Sequence, residues 1–243
     1  MSFPSFTRLS EEQIFSTFTA ERVPVGTLGV TEDGRCFRFA EAAGTTLAPC
    51  KLSEGLAPSA NFTDEAVATL AAGVTVLTGV GATTGNCAAD LLKEGFVWSS
   101  TATNLNPVMK IKSNTLITAA AATGTITLYS PTPAAFAAAD TISYMANLWR
   151  DIVVTPDATP LAGITGVNPV EIVLDTFGWV QTQGVGRCLL VGTVVLGCEL
   201  IPAATAGSVG PNDSETTQLT KIVGNCIFVE ATTEYGPIFI ALE

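Results

Sequence analysis

Histidine is missing altogether from this chain. Ser-His-Asp and Cys-His triads, imidazole-bound zinc and the commonest general base are therefore out of reach. Charge is scarce as well: Asp, Glu, Lys and Arg make up 14% of the 243 residues, where an average soluble domain carries about 25%. No run of about 18 apolar residues, the length of a membrane-spanning helix, occurs; stretches such as 66–82 are broken every few positions by Thr or Gly. The six cysteines, at 36, 50, 87, 188, 198 and 226, form no CxxC pair, so zinc-ribbon and thioredoxin-type spacings are excluded. No Asp-x-Asp-x-Asp-Gly array offers a calcium loop, and glycine-rich Thr78–Gly85 lacks the Gly-Lys-Ser/Thr ending of a phosphate loop. What the composition still permits is carboxylate pairs, lysine bases or thiolates; lysines are very few, and the carboxylates stand mostly alone in turn contexts such as Glu32-Asp33 and Asp64-Glu65, although a facing pair of the glycosidase kind stays open. The expectation is a protein without cofactor or metal that is not an enzyme.

What is present points to a structural role. Acidic residues outnumber basic ones 22 to 11, a net charge of −11, which argues against a grip on nucleic-acid phosphates and suits copies that repel one another before assembly. Hydrophobic residues reach 47%, so uncharged Thr, Ala and Gly must cover much of the exterior, the texture of a surface that meets neighbouring subunits. The start, Met1-Ser-Phe-Pro-Ser-Phe, shows no basic segment followed by an apolar one, so no signal peptide is read and the cysteines are expected to be reduced. Four of them follow a Gly-Arg or Gly-Asn pair, as in Gly186-Arg187-Cys188, and read as small buried hydrophobes at strand starts.

Along the chain, Ser10–Phe18 is the one early helix candidate. Ser10 and Gln13 have capping-box spacing, and Ile14, Phe15 and Phe18 would share one face. From Arg22 the pattern turns to strands. Val23–Val30 and Arg35–Ala40 flank Asp33-Gly34, a strong hairpin signal, with Phe37 and Phe39 on one face and Arg38 on the other. Short β-prone segments follow about every ten residues: Val74–Leu77, Gly95–Ser99, Val108–Lys112, Thr115–Thr118 and Gly124–Tyr129. Lys110-Ile111-Lys112 reads as an exposed or edge strand. Ala134–Ala139 allows at most a helical turn or two. Thr155–Gly163, rich in Pro and Gly, reads as a linker or long loop. Beyond it come strand runs at Ile172–Leu174, Phe177–Thr182, Cys188–Val191, Thr193–Leu200, Ile222–Val229 and Ile238–Leu242, with Gln183–Gly186 as a hairpin loop. The predicted fold is all-β, with antiparallel sandwich or barrel units, a short N-terminal arm and few short helices. Its expected division is an arm at 1–22, a compact domain from 23–55 with 166–243, and an inserted β-rich domain at 56–165.

Two stretches carry a resemblance. One is Val25-Gly26-Thr27-Leu28 with Asp33-Gly34-Arg35-Cys36-Phe37-Arg38-Phe39-Ala40 and Leu47-Ala48-Pro49-Cys50-Lys51-Leu52. The other is Phe177-Gly178-Trp179-Val180-Gln181-Thr182-Gln183-Gly184, continued by Val191-Gly192-Thr193, Gly207-Ser208-Val209, Ile222-Val223-Gly224 and Tyr235-Gly236-Pro237-Ile238-Phe239-Ile240. Together they resemble tailed-bacteriophage capsid decoration or head-associated structural proteins. The likeness covers about the first fifty and the last seventy residues. It implies a protein made in the host cytoplasm that resides on the capsid surface of the virion, with the major capsid protein as partner and self-association, as a homotrimer at local threefold positions; neither nucleic acid nor membrane is implied. Phe3, Phe6, Ile14, Phe15 and Phe18 of the arm, with Trp179, are the candidate interface residues. Other virion roles (tail tube, fibre or major capsid subunit) stay open, as does a carbohydrate-binding module built on Trp98, Trp149 and Trp179.

Overall fold

The computed structural model describes residues 6–100, 105–119, 123–156, 160–212 and 221–243. Its first strands are β1 (Phe6–Arg8), β2 (Leu28–Val30), β3 (Cys36–Glu41) and β4 (Leu52–Glu54). Then come β5 (Glu65–Ala66), β6 (Val76–Val80), β7 (Phe96–Ser99), β8 (Met109–Asn114), β9 (Gly124–Leu128) and β10 (Thr141–Met145). The last are β11 (Val153–Val154), β12 (Ile164–Val167), β13 (Phe177–Leu190), β14 (Glu199–Pro202), β15 (Ser208–Pro211), β16 (Gly224–Cys226) and β17 (Tyr235–Ala241). Only 3-10 turns accompany them among the described residues, so the all-β, barrel-like class holds.

Two compact units share these strands. One comprises 1–57 and 148–243, the other 58–147. The chain crosses between them at 57/58 and 147/148, whereas the sequence suggests 55/56 and 165/166. The later crossing differs because Val153–Val154 and Ile164–Val167 both pair with β4. The Pro/Gly-rich passage at 155–163 therefore joins two strands of one sheet and is not a linker between units.

The unit at 58–147 is a six-stranded sheet in the order β5-β10-β7-β8-β9-β6. Hydrogen bonds from Ala68 N to Thr78 O (2.9 Å) and from Gly81 N to Ala66 O (3.3 Å) join its first strand to its last. Closure removes the free edges that an open sheet exposes. Inward residues Leu77, Val97, Ile111, Ile126 and Ile142 are fully buried. The edge-strand reading of Lys110-Ile111-Lys112 is thereby corrected: β8 lies between β7 and β9, its lysines alternate outward, and Lys110 pairs with the buried carboxylate of Glu94. Ala134–Ala139 forms no helix either. Phe136 is buried and exchanges backbone bonds with Leu70 (2.8 and 3.0 Å), which outweighs the helix preference of the alanines around it.

In the other unit, eleven strands form one sheet that closes on itself twice, both times through β13. The first circuit runs β13-β3, across a bridge from Ala42 to Ile152, then β11-β4-β12 and back. Ala40, Leu47, Ile152, Ile172 and Val180 fill it. The second runs β13-β15-β14-β16-β17 and back, around Cys188, Leu190, Leu200, Val209, Ile238 and Ile240. Pairing is antiparallel except for β1–β2, β13–β15 and the Ala42–Ile152 bridge. On the far face of β3 and β13 an aromatic cluster gathers: Phe39 stacks on Phe177 (5.8 Å, 6°) and meets Trp179 edge-on (5.1 Å, 64°).

β13 corrects the expected hairpin loop at Gln183–Gly186. The strand runs straight through it for 14 residues. Its partner changes from β3 to β17 at a register shift between Gln181 and Gln183. Gln181 Nε2 donates to the carbonyls of Gln183 (3.1 Å) and Val185 (2.9 Å), holding the bend, and Gly184 supplies a left-handed φ of 93° there. The Asp33-Gly34 turn does close β2 onto β3, with Phe37 and Phe39 sharing a buried face.

One local device recurs in both units. Leu47, Leu70, Cys87 and Ile172 each sit in an isolated bridge, and the residue three positions on turns left-handed: Cys50 (φ 59°), Gly73 (87°), Asp90 (59°) and Asp175 (58°). That residue's N–H then bonds a carbonyl of another segment, those of Asn168, Thr132, Asn114 and Ala42 in turn. Gly or Asp holds three of these four positions and Cys50 the fourth, and the short polar side chain of Asp tolerates the left-handed conformation.

Strand spacing gives a direct test. A Cβ at Gly224 would lie 1.9 Å from the carbonyl oxygen of Phe239 on the paired strand, whereas one at Gly34 (φ 84°) meets nothing within 4 Å. Gly224→Ala is expected to destabilise by about 3 kcal/mol or more and Gly34→Ala by only about 1 kcal/mol, as read from urea midpoints. Equal effects would contradict the β16–β17 geometry.

Candidate interaction surface

The N-terminal segment is a part of the first unit's wall. Ser10 and Gln13 form the reciprocal capping box, Ser10 N to Gln13 Oε1 at 2.9 Å and Gln13 N to Ser10 Oγ at 3.3 Å. The helix nevertheless stops after the single 3-10 turn Gln13–Phe15, because Ser16 turns extended and Phe18 exchanges backbone bonds with Phe177, both 2.8 Å. Two β-type bonds anchored on β13 replace the further turns a helix would need.

The six candidate interface residues consequently separate. Phe3 lies outside the described residues. Ile14 (1% exposed) and Trp179 (4%) belong to the unit's own core. Phe18 is half-buried, tilted against Phe39 (6.0 Å) with the Arg22 guanidinium over its ring (5.8 Å). Only Phe6 and Phe15 (53%) are exposed. Phe6 lies on β1, the sheet's open edge, in a cleft of about 730 Å3 with Arg8, Leu9 and Glu32. Phe15 shares a cleft of about 390 Å3 with Val185, Arg35, Cys50 and Arg187. Phe239, opposite Val185 on β17, extends the apolar strip.

A second apolar surface went unread in the sequence. The runs Thr193–Leu200 and Ile222–Val229, expected as strands, are strands only over Glu199–Pro202 and Gly224–Cys226. The remainder forms two loops. Cys198 N donates to Val195 O (3.1 Å), closing a turn, while Gly197 N reaches Cys226 O (2.8 Å) and Cys226 N reaches Cys198 O (2.9 Å), so the loops leave the barrel side by side. They carry Val195, Leu196 (71%), Ile227, Phe228 (56%) and Val229, all exposed, while Val194 beneath is buried in the core. A signal did exist: Val194-Val195-Leu196 and Cys226-Ile227-Phe228-Val229 are consecutive apolar residues without the period-two alternation of a strand with one wet face.

Chemistry elsewhere serves the fold. Arg35 is held by Glu11 and by Asp33 (2.7 Å); the hydroxyl of Thr31 in particular lowers the Asp33 pKa, with Arg35 adding to the effect. Arg38 forks onto Glu243 (2.8 and 3.0 Å) and covers Trp149 at 4.9 Å. Arg150 meets Glu41 at 2.7 Å, although burial still raises the Glu41 carboxyl above its ordinary value. Among the described residues no group of three His, Cys, Asp or Glu is placed to hold a metal ion, and no helix is long and apolar enough to cross a membrane. Trp149, half-buried, donates its indole N–H to Thr165 O (3.2 Å) and has the Arg38 guanidinium over its ring, while Trp179 is buried and Trp98 half-buried.

Family models, curated proteins and solved structures yield no match to this chain. The loops and clefts above must therefore be read on their own chemistry.

The buried thiols make a pH prediction. Burial pushes Cys188 from 9.0 up to about 12. A raised folded-state pKa adds stability that is whole below the unfolded value and is lost as pH climbs from 9.0 toward about 12. At three units the contribution is about 4 kcal/mol at most. Cys188→Ala is expected to lose less stability than the parent between about pH 8 and about pH 11 in urea titrations; identical alkaline slopes would refute the assignment.

Proposed function

We propose that this chain is a virion structural protein: a capsid decoration protein that binds the outer surface of a tailed-phage head through the major capsid protein and self-associates as a homotrimer. The observation that carries the reading is the pair of apolar loops at Val195-Leu196 and Ile227-Phe228-Val229. Large side chains clustered in the open on a rigid barrel end form the kind of patch that marks a protein–protein contact. The backbone bonds at Gly197, Cys198 and Cys226 hold the patch in place, so little ordering entropy is lost on docking. Burying each large side chain contributes about 1.5–3 kcal/mol.

Net charge supports the same division of labour. At −11, free copies repel over a screened range of about 8 Å, while contact through Val195-Leu196 and Ile227-Phe228-Val229 is made by uncharged side chains, with Glu199 and Glu230 at their margins. Every bound copy stabilises the shell by mass action. The N-terminal segment enters the reading differently from the docking arm first expected. Leu9 and Ile14 are core residues, so removing 1–20 would cost the fold, and among the described residues of that segment Phe6 and Phe15 are the candidate contacts that stay exposed.

The double variant Leu196→Asp, Phe228→Asp is expected to keep the circular-dichroism spectrum and melting behaviour of the parent. Its co-sedimentation with heads lacking the protein should weaken by about 100-fold, the equivalent of roughly 3 kcal/mol. Light scattering on the same variant tells whether the loops serve the trimer or the head. Undiminished head binding together with an unchanged oligomer would sink the reading.

A further inference from the structure

We propose that Cys198 and Cys226 are a disulfide-forming pair, a redox staple at the base of the two apolar loops. The register places them. Glu199 pairs with Asn225 and Leu200 with Gly224, so the next rung of the β14–β16 ladder sets Cys198 against Cys226, and the bond from Cys226 N to Cys198 O (2.9 Å) confirms the rung. Opposed residues of an antiparallel pair have Cα atoms about 4.5–5.5 Å apart, inside the disulfide range of about 4.4–6.8 Å. Both side chains point the same way: Cys226 is buried in the core of the second circuit and Cys198 packs against that same core. The two thiols also interact with one another. Gly197, whose own N–H reaches Cys226 O, takes a left-handed φ of 81° in the turn just before Cys198 and supplies slack for the geometry of a bridge.

The Cys226 thiol also donates to Phe228 O (3.3 Å), a contact it must give up on bridging; the other four cysteines have no opposed cysteine across a strand pair. Cys188 is buried and directs its thiol to Gly207 O, Cys87 interacts with Asn114 and Ala88 O, and Cys36 reaches Gly34 O. Cys50 sits in a left-handed turn.

Exposure assigns the order of events. Cys198 is half-buried and Cys226 buried, so Cys198 is the attacking thiol. Its thiolate attacks one sulfur of a small-molecule disulfide such as oxidised glutathione, and one glutathione thiolate leaves. The Cys226 thiolate then attacks the Cys198 sulfur of the mixed disulfide and expels the second. Two protein thiols are oxidised, the small disulfide is reduced to two thiols, and the protons pass to those thiolates. The chain folds with six free thiols, so the bridge forms when the protein meets an oxidising medium. It cross-links the loops bearing Leu196 and Phe228. The proposal does not depend on what those loops bind.

The test uses the full chain, folded and reduced, then exposed to oxidised glutathione. The thiol count after denaturation should fall from six to four, and peptide mapping should show one linkage, Cys198 to Cys226, two hydrogens lighter than the separate peptides. The oxidised protein should exchange the Gly197 and Cys226 amides more slowly than the reduced one. Cys198→Ser, a change at a half-buried position that spares the fold, should form no intramolecular bridge, while Cys50→Ser should behave as the parent. Six surviving thiols, a linkage between other cysteines, or a bridge that persists in Cys198→Ser would each overturn the assignment. None of those results bears on head binding by the loops, which the Leu196 and Phe228 variants report separately.

Discussion

The first unit depends on one uninterrupted strand. β13 supplies a wall to two closed circuits and a face to the aromatic cluster, so any break in it would open all three. A strand of 14 residues that must change partners halfway needs a bend without a break. Gln181 and Gly184 supply it: the carboxamide holds two carbonyls of the bend, and the glycine takes the backbone through a conformation closed to most residues. The residues between Phe177 and Leu190 consequently face three different apolar environments.

Closure explains where charge and apolar surface lie. A closed sheet satisfies its own backbone and needs few charges to protect edges, which is how a chain with 14% charged residues is built. Among the described strands, β1 is the open edge of its sheet; it is short and ends on Arg8, and Glu11 just beyond it joins Arg35 and Asp33. Large apolar side chains are exposed together in the loops at the end of the second circuit and in the strip of Phe15, Val185 and Phe239, and others, among them Leu105, Val108 and Leu161, are exposed elsewhere. A barrel that keeps its inside apolar and carries Leu and Phe at loop tips is well made for docking.

Much of the fold was legible. Asp33-Gly34 marks a hairpin because its turn matches strand twist, and Phe37 and Phe39 share a face because strand side chains alternate. The capping box of Ser10 and Gln13 was also legible and did form, but local chemistry could not reveal that Phe18 would pair with Phe177, some 160 residues away, and end the helix at one turn. The same blindness hid the candidate surface. Val195-Leu196 and Ile227-Phe228-Val229 carry ordinary strand composition, and only the ring's closure by β16 and β17 decided that these residues lie past its end. Ile14 and Trp179, chosen for their apolar bulk, were drawn inward by the cluster around Phe39.

By itself the sequence determined the class of structure and the chemistry it forgoes: repeated short β-prone runs with turn residues between them admit little but an all-β chain, and a chain without histidine has no imidazole to use. Those are properties of residues and their near neighbours. Tertiary structure decided which strand each run would meet, that two circuits share β13, that the insertion closes on itself, and which apolar side chains face outward. Each of these depends on pairing between distant segments, whose free energy comes from burial and from backbone bonds that no local pattern encodes.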